Sequence, residues 1–142
     1  MRAKRERKNI GRKDERRMRM WGIILGLTLS MLVSPANLGF SLPEIDETVS
    51  GEVEIQQPDS STLQINATDK AILNYKSFNI LENESVIINL PSPDSEILNR
   101  VIGSGPSSIY GSLYCNGTLI LVNENGIRFG PNSNIDVASL VA

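Results

Sequence analysis

The sequence predicts an all-β fold. Apolar runs of roughly three to seven residues recur every eight to twelve residues or so, separated by Gly, Pro, Asn and Ser corners. Within the runs, apolar side chains return at every second position, and no segment carries an amphipathic helical period of any length. Sandwiches, barrels and solenoids all satisfy these observations.

In chain order, "GEVEIQ" alternates, with Val53 and Ile55 on one face and Glu52 and Glu54 on the other. "STLQINA" repeats the alternation with Leu63 and Ile65 inward. "DKAILNYKSFNI" suits two short strands, Ile72 with Leu73 and Phe78 with Ile80, about a turn near Tyr75–Ser77. "ESVIINL" is a β-branched strand stopped by the two prolines of "PSPDS". "EILNRVI" fits a helical turn or a strand equally, because so short a run has no resolvable period. "GSGPSS" reads as a loop, "SIYGSLY" as a strand broken at a Gly, and "CNG" as a turn. "TLILV", "NENG", "IRFG", "PNSN" and "IDVASLVA" complete the chain.

One detail favours a solenoid. The strands of the last third are very short, and Asn-, Gly- and Pro-rich corners separate them. Each offers one apolar stripe: Leu119 and Leu121, Ile127 and Phe129, Ile135 and Val137. Stacked coils bury such stripes against the rungs above and below. Asn suits the corners, because it tolerates left-handed backbone and bonds nearby peptide groups. Alone, Asn125-Gly126 inside "TLILVNENGIRFG" predicts a two-residue hairpin instead.

The chain has 142 residues, enough for one domain, and a net charge of −2 that hides an asymmetry. Residues 1–20 hold ten of the fourteen Lys and Arg; after Met20 there are four basic and thirteen acidic side chains. The basic block runs into "WGIILGLTLSMLV" and then the small residues of "SPANLGFS", the order of a secretory signal peptide. The apolar run is short for the roughly 30 Å of hydrocarbon in a bilayer. A cut after Ala36 is expected, with an alternative cut after 41. A non-specific nucleic-acid block and an uncleaved signal anchor remain open as readings of the same segment. Residues 37–47 then form an acidic mature start and 48–142 the folded domain.

The sequence contains no His, which removes His metal sites, Ser-His-Asp and Cys-His arrangements and the commonest general base. Cys115 is alone, so no internal disulfide forms, and a small buried apolar role suits it better than a reactive thiol. Glu52 and Glu54 sit two apart on a strand, which is the pattern of a solvated face rather than of a glycosidase pair. Asp46, Glu47, Glu52, Glu54 and Asp59 lack calcium-ligand spacing, so no metal and no cofactor is expected. Asn66, Asn83 and Asn116 head Asn-x-Ser/Thr triplets, read as Asn-rich corners. "GSGPSS" lacks the ending of a phosphate loop. Arg100 and Arg128 each read as a solvent-facing salt-bridge partner.

"KSFNI" at Lys76–Ile80, "LNRVIG" at Leu98–Gly103 and "PSSIYGSLYCNGTLILVNENGIRFGPNSNIDVASLVA" together resemble the amino-terminal secretion domain of filamentous-haemagglutinin-type exoproteins. This is the two-partner-secretion, or haemagglutination-activity, domain. The resemblance covers about Thr48 to Ala142 in the family's order and rough spacing. It implies a right-handed, single-stranded parallel β-helix with an amino-terminal cap. It also implies Sec export to the periplasm and recognition by a dedicated outer-membrane β-barrel transporter, with a non-catalytic, secreted or cell-surface adhesin or haemagglutinin as the whole protein. No nucleic-acid partner is expected, and the sequence does not name a host or surface ligand. The family reads Asn-Pro-Asn-Gly-Ile where this chain has Asn123-Glu124-Asn125-Gly126-Ile127, so the corner is expected to be looser, Pro being the residue that pre-sets φ. Recognition is expected on a face formed by Asn79, Ile80, Leu81, Asn123, Glu124, Asn125, Gly126 and Ile127. The apolar "SLVA" ending suggests a β-helix truncated at its carboxyl end, a fragment of a longer protein. The rivals are a stand-alone secreted β-sandwich that binds a ligand or carbohydrate, recognisable by antiparallel pairing, and a pectate-lyase-like β-helix enzyme.

Overall fold

The computed structural model describes residues 41–142. The expected signal segment, Met1–Ala36 with its apolar stretch Trp21–Val33, lies outside the described residues. Ten strands and no helix make up the described part: β1 Glu44–Ser50, β2 Val53–Asp59, β3 Thr62–Ala67, β4 Ala71–Ser77, β5 Ser85–Asn89, β6 Glu96–Val101, β7 Ser107–Ile109, β8 Ser112–Asn123, β9 Ile127–Phe129 and β10 Asn134–Val141.

From β3 onward the chain winds into a parallel β-solenoid of about four turns. The first face stacks β3, β5, Ser112–Cys115 of β8 and Asn134–Val137 of β10, all parallel. The second stacks β4, β6, Thr118–Asn123 of β8 and Ser139–Val141 of β10. The third is narrow: β7 lies parallel to β9, and Ile80 bridges Ile109. Parallel pairing throughout the coils rules out the sandwich. Antiparallel pairing is confined to the start of the described chain, where β1 lies on β4 and β2 on β3. These two strands occupy the backbone edge that the first rung would otherwise leave unpaired, which is the work of a cap.

The core follows from register. Inward positions align as Leu63, Val86, Leu113 and Ile135, and as Ile65, Ile88, Cys115 and Val137, on the first face. On the second they align as Ala71, Ile97, Leu119 and Leu140. Those of the inner rungs are buried, and burying a Leu or Ile side chain stabilises by about 1.5–3 kcal/mol. Ile135, Val137 and Leu140, on the last rung, are partly buried against the same core.

The structure corrects three local expectations. Ala71–Ser77 is one strand with Tyr75 fully buried, so no turn falls at Tyr75–Ser77, and Ile72 faces outward while Leu73 faces in. "CNG" does not end a strand: it is the bend at which β8 leaves the first face for the second. Ile55 is 46% exposed, because the cap strand that carries it has coil on one edge only. "EILNRVI" resolves as strand, with Ile97, Asn99 and Val101 inward at period two.

Candidate functional site: the third-face corner

The stretch Asn123–Gly126 turns the chain from the second face to the third. Gly126 has φ +96°, a backbone region that costs a residue with a Cβ about 1–2 kcal/mol. Its N–H donates to the Asn123 carbonyl at 3.1 Å, and its own carbonyl accepts Ser107 N–H at 2.9 Å. The strands on either side of this turn, β8 and β9, do not pair with each other. The two-residue hairpin is therefore replaced by a solenoid corner.

Two asparagines clamp the corner to the coil beneath. Asn123 Nδ2 donates to the Gly105 carbonyl at 3.1 Å and to Ser107 Oγ at 2.9 Å, while its Oδ1 accepts the Asn125 N–H at 2.9 Å. Asn125 Nδ2 donates to the Gly103 carbonyl at 2.9 Å. The loop "GSGPSS" thus serves as the seat for the corner above it. Glu124 projects between these clamps, exposed. Side-chain bonds from Asn123 and Asn125 flank Glu124 in the turn where Pro would pre-set φ.

Asn79, Ile80 and Leu81 belong to the same third face, one coil further toward the cap. Asn79 Oδ1 accepts the Ser108 N–H at 2.8 Å, so Asn79 and Asn123 grip the 103–108 segment from opposite sides. Ile80 is fully buried, its N–H donating to the Ser108 carbonyl. Leu81 is 41% exposed. Its N–H donates to Glu84 Oε2 at 2.8 Å, and Glu84 Oε1 accepts the Ser41 N–H at 2.9 Å, tying the chain's entry into the cap to this corner. The two predicted segments therefore share one face but do not touch as strands, because β7 runs between their rungs. Leu81, Glu124, Asn125 and Gly126 are open to a partner; the Ile80 side chain is not.

Nothing at this face resembles a reaction centre. Among the described residues no group of three His, Cys, Asp or Glu is placed to hold a metal ion. Cys115 is buried in the first-face stack, and burial pushes its thiol pKa up, away from nucleophilic use. Arg100 and Arg128 face solvent, but among the described residues the one ion pair is Lys76 with Glu44 at 3.3 Å, both exposed.

Residues 43–142 match the family described as TPS secretion domain, TPS being two-partner secretion. The chain belongs to the two-partner-secretion domain family. A heme/hemopexin-binding protein of Haemophilus influenzae is 36% identical over 101 residues, 70% of this chain and 11% of the relative. Its counterpart in strain ATCC 51907 / DSM 11121 / KW20 / Rd is 32% identical over 101 residues, again 11% of the relative's length. Among solved structures, the secretion domain of HMW1 from Haemophilus influenzae superposes with a TM-score of 0.62 at 34% identity, covering 66% of this chain and 25% of that one. This chain is accordingly a secretion-targeting domain of a two-partner-secreted protein. The parallel coils and the family agree: the secretion-domain family is where this solenoid belongs, and it is not known as a catalytic family.

Proposed function

We propose that the third-face corner is the address by which an outer-membrane β-barrel transporter selects this protein in the periplasm, after Sec-dependent export and removal of Met1–Ala36. The observation that carries the reading is the contrast within the corner. Its backbone is fixed by Asn123, Asn125 and Ser107, yet Leu81, Glu124 and Gly126 remain open. A rigid, exposed loop binds with little ordering cost. Asn79 and Ile80 support this surface from below and act on recognition through Leu81.

In this reading the acidic segment 37–47 leads into the folded domain, and its last residues, Glu44 to Glu47, already pair with β4 in the cap. The passenger that it exports is a larger secreted or surface protein, an adhesin or haemagglutinin. The names of the Haemophilus relatives favour a second passenger function, heme or hemopexin binding. Either passenger leaves the domain itself as a non-catalytic address.

Replacing Asn125 by Ala together with Gly126 by Ala tests the assignment in cells that export the full-length protein. Secretion is expected to fall while signal removal, read by the size of the periplasmic form, stays intact. Because Gly126→Ala strains the corner, Leu81→Ser is the companion variant, at an exposed side chain. Undiminished secretion of both would refute the assignment of this face.

A further inference from the structure

The corner leaves the outer surface of the second face unused, and register makes that surface unusual. Ile72 pairs in register with Leu98, Leu98 with Ile120, and Ile120 with Val141. All four are outward, since Ala71, Leu73, Ile97, Leu119 and Leu121 on the same strands fill the inside. The result is an aliphatic ridge along the solenoid axis, one side chain per rung. The matching outward row on the first face reads Gln64, Ile87, Tyr114 and Asp136, polar at both ends.

Beside the ridge, Arg100 pairs in register with Val122, which is 41% exposed. Arg100, Ile102, Val122, Glu124 and Asn125 line a shallow cleft of about 310 Å³ at the recognition corner, and Arg100 and Val122 are the outward positions that follow Leu98 and Ile120 on β6 and β8. Arg100 has no ion-pair partner among the described residues. It is a cation without an ion pair, with Glu124 lining the same cleft, on a chain whose sequence after Met20 has four bases to thirteen acids. An apolar row flanked by a free guanidinium selects an apolar partner with a carboxylate at one edge.

Spacing decides the partner's form. Rungs repeat at about 4.8 Å. A helix laid along the axis returns a side chain to the same face each turn, about 5.4 Å, and drifts only about 0.6 Å per rung. An extended strand repeats at about 6.8 Å on one face and loses register by about 2 Å per rung. We propose that the ridge Ile72–Leu98–Ile120 docks an amphipathic helix of the outer-membrane transporter, with a helix carboxylate paired to Arg100. The proposal rests on the secretion-address reading and adds to it a second contact of defined chemistry.

The test is site-specific photocrosslinking in cells exporting the full-length protein, with a benzophenone side chain at position 98, at position 87 on the first face, or at the exposed position 124 of the corner. Capture of a helical segment of the transporter from position 98 and none from position 87 is expected. The paired variant Leu98→Thr with Ile120→Thr places polar, β-branched side chains, which suit a strand, at both outward positions. It is expected to lower export about tenfold with an unchanged thermal midpoint. Capture from 124 but not from 98 overturns this proposal alone. No capture of the transporter from either position overturns the secretion-address reading with it. Capture from 98 of another part of the same polypeptide, or full export of the Thr variant, also overturns the ridge assignment.

Discussion

Asn99 is the residue whose placement has most to explain. On the inner side of the second face it stands in register between Leu73 and Leu121, fully buried in an aliphatic stack. Tyr75 Oη donates to Asn99 Oδ1 at 2.8 Å, and the Tyr75 ring meets Phe78 edge-on at 5.1 Å. Burial pushes the Tyr75 phenol well above its ordinary pKa, so it stays a hydrogen-bond donor. Asn99 Nδ2 finds no partner, so the pair is half satisfied. Tyr75→Phe is expected to destabilise by about 1–3 kcal/mol, because it strips the other end of a buried amide. Adding Asn99→Leu is expected to restore most of that loss, since both polar partners are then gone. Urea unfolding of the two variants measures it; an equally unstable double variant would show that the pair sets the packing geometry itself. Cys115 lies in the neighbouring stack with its thiol pKa raised by burial. The neutral thiol is thus the form that the fold favours. Its contribution to stability is complete below the unfolded value of about 8.5 and is lost as pH rises through the higher folded value.

At the scale of elements, β8 shows what a linear pattern carries and what it omits. "TLILV" with Leu119 and Leu121 inward was legible, as were Leu63 and Ile65 of β3, because period two is a local property. The continuity of β8 through Asn116 and Gly117 was not. Asn116 Oδ1 accepts the Leu90 N–H at 2.7 Å, and its Nδ2 donates to the Leu90 carbonyl at 2.8 Å. The bend is therefore held by a residue of the preceding rung, distant in sequence. Asn89 and Asn66 make a similar rung-to-rung bond at 2.9 Å, so the Asn-rich corners are laddered to one another. "AILNYKS" misled for a related reason. Tyr75 looks like a turn-flanking residue until Asn99 of the next coil supplies its buried partner. Asn116→Ala is expected to cost about 1–3 kcal/mol by leaving the Leu90 peptide groups unpaired. Asn83→Ala, at an exposed position, is expected to stay within about 0.5 kcal/mol. Midpoints of urea unfolding compare the two directly, and equal midpoints would contradict the corner assignment.

For the whole molecule, the solenoid separates two tasks. Inward rows build stability rung by rung, and outward corners and rows are free to carry recognition. The class of fold could be read from strand length and corner composition, and the family from several segments in order. What the sequence hid was which outward residues lie side by side, since Ile72, Leu98 and Ile120 are neighbours only through register. It also hid that Ile80, within a predicted recognition segment, is core. The whole protein's export depends, in this account, on an outer-membrane transporter reading the folded surface. Quantifying the full-length protein in culture medium with the transporter gene present and deleted tests this most directly. Abundant release is expected with the gene present, and periplasmic retention of the signal-cleaved protein without it. Equal release from both strains would contradict it.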